Sequence, residues 1–239
     1  MKLLVLSLNF LIFSGSIVAA QSYEMVQDEF PSGIQVERLG GTLGVAPTEA
    51  QARPLTPLAL GLIKQFEGWR EKPYNDAVGY CTIGFGHLLA LKSCEEIELG
   101  EFKDGISISE GERILLADTL DARAAVQDLV EVDLTDDQFG ALVSFTFNLG
   151  RGKLSTSTLL RLLNLGSYQA AEKQFYRWTR AKGIVLSGLV ARRNCEAFKF
   201  RGEFTQLGIS KFDRQICEDA GLGVAPGILV NDIDVLVGE

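Results

Sequence analysis

An α+β fold is predicted by three features of the sequence. A segment with helical periodicity starts near residue 57, a turn-rich region follows it, and several further helical segments come after that region. The turn-rich region, residues 72–87, separates short apolar stretches such as YCTIGF with Pro, Asn-Asp and Gly, which is typical of a small irregular antiparallel sheet. One small sheet followed by many helices is an α+β arrangement.

The first helix is expected directly after Thr56. This threonine can cap the helix, and the proline that follows it suits the first helical position. Leu58, Leu62 and Phe66 recur at a spacing of four residues and predict one buried stripe. Glu67 follows directly, so we expect it at the edge of an apolar face, near the end of the helix.

Two capping boxes predict the starts of later helices. Ser109 with Glu112 predicts a long helix through ERILLADTLDARAAVQDLV. Thr135 with Gln138 predicts a second helix that ends at Gly150, and its apolar residues lie nearly all round, as in a central buried helix. Shorter helices are expected near residues 157–164, 168–180, 187–199 and 211–219.

The chain is expected to hold one domain with extensions. Residues 1–20 have the layout of a secretory signal peptide, with Lys2, an apolar run and small residues before the cleavage site. A retained membrane anchor is the less favoured alternative, because polar residues interrupt the run. Residues 21–55, rich in Gly and Pro, predict an N-terminal arm or linker, and 56–204 the folded domain. Residues 205–239 form a C-terminal extension whose end could be a strand or a mobile tail.

The acidic composition argues against one class of partner. The formal net charge is -8, and removal of residues 1–20 takes away one lysine and no acid, which gives -9. Nucleic-acid binding is disfavoured, because neutralising phosphates requires clustered Lys and Arg. We expect a secreted, extracellular monomer with no stable membrane insertion once the signal peptide is cleaved.

Four cysteines predict two disulfides, because an even number in an exported chain is typical of a disulfide-bonded protein. Three pairings are open. We favour Cys81–Cys94 and Cys195–Cys217, since each closes a short loop. The alternative is four free buried thiols, which an oxidising compartment disfavours.

Glu67, Asp76 and Thr82 are the candidate catalytic residues. Glycoside hydrolysis needs one carboxyl group that protonates the leaving oxygen and another that activates water or attacks the sugar. Ile63 and Phe66 give Glu67 apolar surroundings, which favour a neutral acid. Asp76 lies in an Asn- and Gly-containing turn and should be wetter and ionised, and the Thr82 hydroxyl can hold a water beside it. Two acids within ten residues are common, so spacing alone also fits a solvated surface.

Three sequence segments, in a fixed order along the chain, make the interpretation of these candidate catalytic residues more specific. Residues 66–87, FEGWREKPYNDAVGYCTIGFGH, contain a Glu-Gly pair, a Tyr-x-Asp turn and a Gly-x-x-Thr-Ile-Gly-x-Gly-His run. LTDDQFGALVSFTFNLG follows, and then FYRWTRAKGIVLSGLVARRNCE, with Gly-Leu-x-x-Arg-Arg-x-x-Glu at 188–196. These segments closely resemble the catalytic segment, central helix and late helices of the phage-type lysozymes, glycoside hydrolase family 24. The resemblance covers roughly residues 56–202.

The resemblance implies a lysozyme-like fold, with a small β-containing lobe, a larger helical lobe and the active-site cleft between them. It implies Glu67 as general acid, with Asp76 and Thr82 binding and activating water. The implied substrate is peptidoglycan of the bacterial cell wall, cut at the β-1,4 bond between N-acetylmuramic acid and N-acetylglucosamine. Asn148 matches a family position near the cleft and could contact a sugar; the alternative is a structural residue at a helix end.

No metal site and no cofactor are expected. His87 is the sole histidine of the chain, and a structural histidine bonded to a carboxylate or carbonyl is favoured over a catalytic one. Arg192 and Arg193 are expected in ion pairs rather than on the glycan, and Trp69 and Trp178 in core packing rather than stacked on sugars. Two rival functions stay open: a catalytically silent glycan-binding protein, and an enzyme of the same fold that cleaves by transglycosylation or prefers chitin.

Overall fold

A computed structural model of the protein describes residues 48–219 and 233–239. The signal peptide predicted at residues 1–20, and the predicted arm up to residue 47, lie outside the described residues. Ten helices are assigned within the described ranges: α1 (Pro57–Glu67), α2 (Ile108–Asp118), α3 (Leu120–Leu129), α4 (Asp136–Leu149), α5 (Arg151–Thr156), α6 (Thr158–Asn164), α7 (Tyr168–Gln174), α8 (Ser187–Phe200), α9 (Glu203–Gln206) and α10 (Arg214–Asp219). The strands are β1 (Arg70–Asn75), β2 (Cys81–Gly84), β3 (His87–Ala90), β4 (Arg180–Ala181) and β5 (Ile184–Val185).

The predicted α+β arrangement is confirmed. Strands β1, β2 and β3 form an antiparallel sheet in that order, which is the small lobe, and the later helices form the large lobe. Helix α1 leads into the sheet at Gly68, whose positive φ of 76° lets the chain leave the helix sharply. The two lobes are thus joined directly after Glu67.

The large lobe packs around α4, as its all-round apolar pattern predicted. Phe139 and Val143 are buried and Phe147 is half-buried. The predicted capping box forms: the Thr135 side chain accepts from the Gln138 amide, and the Gln138 side chain accepts from the Thr135 amide. Helices α1, α3, α5 and α8 pack against α4, which brings the end of α1 close to the late helices.

The predicted start of α2 is wrong by two residues. Ser107, not Ser109, caps the helix, because its backbone is extended and its hydroxyl accepts from the Glu110 amide. Glu112 pairs instead with Lys64 of α1. The predicted long helix also breaks at Thr119, whose buried hydroxyl donates back to the Leu116 carbonyl and separates α2 from α3.

The helix predicted at 168–180 is too long. It ends at Gln174, a short 3-10 turn follows, and Arg180 begins the β4–β5 hairpin. Lys182 and Gly183 both have positive φ, as in a two-residue hairpin turn of type I′. The short helices α5 and α9 were not predicted either.

Both ends of the described chain lie against the large lobe. At the N-terminal end, Arg53 bonds Asp136 at 2.6 Å, and Glu49 bonds the fully buried Arg123 at 2.5 Å. At the C-terminal end, Ile233 and Val235 are buried, and an isolated bridge pairs Asp234 with Arg180. The C-terminal residues were expected to be a strand or a mobile tail; residues 233–239 form this one bridge, add side chains to the core and pair Glu239 with Arg177 at 2.9 Å.

Candidate active site

Glu67 is buried at the junction of the two lobes. It is the last residue of α1, and its side chain is only 2% exposed. The surroundings are not only apolar, as the sequence suggested, because Arg192 Nη1 donates to Glu67 Oε1 at 2.8 Å. With Oε1 accepting from the guanidinium, Oε2 is the oxygen better suited to carry a proton. The contact therefore orients the carboxyl group of Glu67.

The β1–β2 hairpin brings Asp76 and Thr82 to one face. Tyr74 pairs with Thr82 and Asn75 with Cys81, and the Asp76 amide extends the ladder by donating to the Tyr80 carbonyl at 2.9 Å. Because side chains alternate across a strand, Tyr74, Asp76 and Thr82 share a face, and Asn75 lies on the opposite one.

The turn holds the Asp76 carboxylate in one orientation. Its Oδ1 accepts from the Val78 amide at 2.8 Å and from the Tyr80 amide at 2.9 Å. Its Oδ2 is buried and has no hydrogen-bond partner in the part of the chain that the structure describes. An oriented carboxylate with one unsatisfied oxygen is able to accept a proton from a water or a sugar hydroxyl.

Thr82 lies beside this turn on β2. It is only 2% exposed, and its hydroxyl donates to the Tyr80 carbonyl at 3.2 Å. Since a hydroxyl also has two acceptor lone pairs, Thr82 can accept a hydrogen bond from a water held between it and Asp76.

Tyr74 connects the two carboxylates electrostatically and was not assigned a role from the sequence. Burial raises the pKa of its hydroxyl; the Arg70 guanidinium opposes this rise, and the carboxylates of Asp76 and Glu67 add to it. Both candidate catalytic acids are therefore close enough to Tyr74 to influence the pKa of its hydroxyl. The Tyr-x-Asp turn was the available signal, because it fixes Tyr74 on the same face as Asp76.

Behind Glu67 lies a buried ionic network. Arg192, which bonds Glu67, also donates through Nε to Glu196 Oε1 at 3.2 Å. Ser144 Oγ donates to the same oxygen at 2.7 Å, and Arg193 Nε lies 2.9 Å from Glu196 Oε2 in a contact whose angle is not that of a hydrogen bond. Two guanidinium groups and two carboxyl groups thus balance in charge inside the protein, so Arg192 and Arg193 form the ion pairs expected of them.

Burial dominates the ionisation of this network. It raises the pKa of the Glu196 carboxyl, while Arg193 and Arg192 oppose the rise. It lowers the pKa of Arg193 to about 10, which the Glu196 carboxylate counteracts. The charges are therefore maintained by their mutual contacts rather than by solvent.

Asn148 belongs to the same network. It is only 2% exposed, and its Oδ1 accepts from Arg193 Nη2 at 2.8 Å. These contacts account for a structural role near the end of α4. The direct sugar contact suggested for Asn148 stays a prediction.

Both disulfides form in the predicted pairing. Cys81, directly before Thr82, joins Cys94, and Cys195 of α8 joins Cys217 of α10. Trp178 is fully buried in the large lobe, and Trp69 packs 4.9 Å from the Phe85 ring. Both tryptophans thus take part in packing, as expected.

His87 forms an ion pair with Asp118, which ties the small sheet to α2. Its Nδ1 lies 2.9 Å from Asp118 Oδ2, and both side chains are about one-third exposed, at 32% and 27%. The hydrogen bond to Asp118 raises the pKa of His87, and burial opposes that rise. The arrangement matches the structural histidine that the sequence favoured.

The His87 pair should make stability depend on pH. A raised folded-state pKa means that the pair contributes fully below about pH 6.5 and that the contribution is lost as the pH rises through the raised value. We expect Asp118→Asn to lower the free energy of unfolding by on the order of 1 kcal/mol more at pH 5.5 than at pH 9. Urea unfolding at both pH values measures this.

The matched control for the His87 pair is Asp128→Asn. Asp128 bonds Arg151 at 2.8 Å on the exposed surface, and arginine stays charged at both pH values. The control should change the free energy of unfolding by less than about 0.5 kcal/mol at either pH. An equal loss for Asp118→Asn at pH 5.5 and pH 9 would contradict the prediction.

Comparison with known proteins defines the family. The phage lysozyme family matches residues 64–196 of this chain of 239 residues. The chain belongs to the phage lysozyme family. By this membership it is a glycoside hydrolase, and Glu67, Asp76 and Thr82 all lie within the matched range.

Two endolysins and a solved lysozyme structure are similar to this chain. The endolysin of Bacillus phage B103 is 38% identical over 149 residues, 61% of this chain, but the match spans only 53% of that endolysin. The endolysin of Acyrthosiphon pisum secondary endosymbiont phage 1 is 35% identical over 145 residues, 59% of this chain and 93% of its own length. The crystal structure of a mutant P22 lysozyme is 32% identical with a TM-score of 0.55, covering 62% of this chain and 99% of that one.

The described residues offer neither a membrane-spanning helix nor a cluster of metal ligands. In residues 48–219 and 233–239, no helix combines the length and apolar character that crossing a membrane requires. Across the same residues, His, Cys, Asp and Glu side chains form no group of three that could hold a metal ion.

Proposed function

We propose that the protein is a secreted lysozyme (muramidase) that hydrolyses the β-1,4 bond between N-acetylmuramic acid and N-acetylglucosamine in bacterial peptidoglycan. One observation carries the proposal: Glu67 is buried beside Arg192, whereas the amides of an exposed turn hold Asp76 and leave it one unsatisfied carboxylate oxygen. Two carboxyl groups in such different surroundings suit the acid and base roles of glycoside hydrolysis.

Glu67 is the general acid in this proposal. Arg192 Nη1 binds Oε1, so Oε2 carries the proton to the glycosidic oxygen as the bond to the anomeric carbon breaks. Burial keeps bulk water from this proton and strengthens its interaction with the developing charge on the leaving oxygen. Arg192 stabilises the carboxylate that remains after the transfer.

Asp76 is the general base, and Thr82 helps to place the water. The Val78 and Tyr80 amides hold Oδ1, which leaves Oδ2 to accept the proton of the attacking water. The Thr82 hydroxyl, which already donates to the Tyr80 carbonyl, is an acceptor for that water. Water attacks the anomeric carbon from the face opposite Glu67, so the reaction is a single displacement with inversion.

The chemistry is tested by the first-formed product. Proton NMR during digestion of purified peptidoglycan should show the α-anomer of the new reducing end, since one displacement inverts a β-linked glycan. An initial β-anomer, or a sugar ester on Asp76, would indicate a covalent intermediate and remove the water-placing role of Thr82. Mass spectrometry of the same digest distinguishes a hydrolytic reducing end from the anhydro sugar of transglycosylation, and a digest without product indicates a glycan-binding protein.

The acidic charge affects how such an enzyme reaches its substrate. With a net charge of -8, the protein gains no long-range attraction to anionic cell walls. Activity on highly charged walls should therefore rise with salt or at low pH. Secretion, a monomeric state and the sugar contact of Asn148 are part of the same proposal.

A further inference from the structure

Asp76 lies at the end of a weakly paired strand. Strand β1 is an edge of the sheet, and its pairing with β2 shifts between Arg70 and Tyr74. Only two residue pairs follow the shift before the turn, and the turn residues 77–79 are exposed. Although β3 continues the sheet on the other side of β2, β1 has a neighbour on one side only, so the position of the Asp76 carboxylate requires further support.

Four residues on the opposite face provide a closed set of links, which we call the hairpin latch: Asn75, Cys81, Cys94 and Glu95. The disulfide joins Cys81 to Cys94, and the Cys94 amide donates to Asn75 Oδ1 at 2.7 Å. Asn75 Nδ2 donates to Glu95 Oε2 at 2.8 Å. Since Asn75 pairs with Cys81 across the ladder, the latch connects both strands of the hairpin end to the segment after β3.

We propose that the hairpin latch positions Asp76 and Thr82 for the hydrolytic step, with Asn75 and the Cys81–Cys94 disulfide as positioning residues. The inference rests on the proposed function. Two amides of the turn hold the Asp76 carboxylate, so the carboxylate moves with the turn, and the turn moves with the hairpin end that the latch restrains. Asn75 directly precedes Asp76, and Cys81 directly precedes Thr82.

The second disulfide of the chain is the matched control. Cys195–Cys217 joins α8 to α10 within the large lobe and has a similar loop length, 22 residues against 13 for Cys81–Cys94. Loss of either disulfide should lower the melting temperature, because each constrains the unfolded chain. Only the loss of Cys81–Cys94 should displace the Asp76 turn.

The first experiment compares kcat and KM on soluble peptidoglycan fragments. We expect Cys81→Ala/Cys94→Ala and Asn75→Ala each to lower kcat at least about tenfold while KM changes less than about twofold, since a displacement of 1 Å can cost about 10²-fold in rate. The control Cys195→Ala/Cys217→Ala should keep kcat within about twofold. If the latch variants also keep kcat within that range, the proposal is overturned.

Swapping the amide of Asn75 with the carboxylate of Glu95 separates the positioning of the Asp76 turn from general stability. Asn75→Asp keeps the acceptor for the Cys94 amide but places a second carboxylate against Glu95, so kcat should fall. Adding Glu95→Gln supplies a donor to the new carboxylate and should return kcat to within about threefold of the wild type. No recovery in the double variant would contradict the assigned contact.

Amide hydrogen exchange tests the latch independently of activity. Loss of Cys81–Cys94 should raise exchange at the Val78 and Tyr80 amides at least about fivefold, while amides of α4 stay unchanged. Unchanged exchange at both turn amides would overturn the latch even if kcat falls. A wild-type protein that releases no product from peptidoglycan would refute the proposed function, and the exchange rates would still decide whether the latch holds the turn.

Discussion

Glu67→Gln should reduce turnover of peptidoglycan by at least about 10²-fold, and by as much as about 10⁴-fold. The amide cannot release a proton to the glycosidic oxygen. It has the size of the acid, and its carbonyl oxygen can still accept from Arg192 Nη1, so the fold and glycan binding should persist. Initial rates of reducing-end release, together with a binding measurement on undigested glycan, check both parts of the expectation.

The control for Glu67→Gln is the same substitution at Glu112. Glu112 lies on α2, and its carboxylate pairs with Lys64 of α1. It has no role in the proposed chemistry. Glu112→Gln should keep kcat within about twofold of the wild type. Glu67 would lose its assignment as the acid if Glu67→Gln kept more than about a tenth of the wild-type rate.

Glu196→Gln should have the largest effect on stability. It leaves the guanidinium groups of Arg192 and Arg193, which are 3% and 0% exposed, without one of the two carboxylates that balance them. Breaking a buried ionic network by removal of one partner typically costs about 3–5 kcal/mol in the free energy of unfolding. Urea denaturation at neutral pH measures this loss, and the isosteric amide separates the charge effect from a packing defect.

An exposed pair serves as the stability control. Glu110 lies 3.8 Å from Arg113 on the surface of α2, where water screens the interaction. Glu110→Gln should change the free energy of unfolding by less than about 0.5 kcal/mol. A loss below about 1 kcal/mol for Glu196→Gln would show that the two guanidinium groups find other partners and that the network is not held together by Glu196.

Much of the candidate site could be predicted from the sequence, because the helix end with Glu67 and the turn with Asp76 are each formed by residues close together in the chain. Glu67 ends the first helix, and the Tyr-x-Asp turn determines which residues share a face with Asp76. The partner of Glu67 was not accessible, since Arg192 is 125 residues away in sequence. The apolar surroundings inferred for Glu67 from Ile63 and Phe66 were therefore incomplete.

Errors in the predicted helices have the same origin. Ser107 and Ser109 are both competent caps, and the start of α2 depends on which serine has extended backbone and meets the Glu110 amide. The helix predicted at 168–180 could not extend to its predicted end, because Arg180 pairs with Val185 in the hairpin and with Asp234 from the end of the chain. Pairings between distant segments of this kind leave no periodic signal in the sequence.

The sequence by itself determined the α+β order, the capping of α1 and α4 and the turn at Asp76, and its short loops favoured the cysteine pairing that forms. These features depend on hydrogen bonds and loop closures between residues close together in the chain. Only the tertiary structure decided that Arg192 binds Glu67, that Glu196 balances two buried guanidinium groups and that Asn75 supports the turn from the opposite face. Such contacts arise when packing removes water from charged and polar groups, because each must then find a partner wherever the fold brings one.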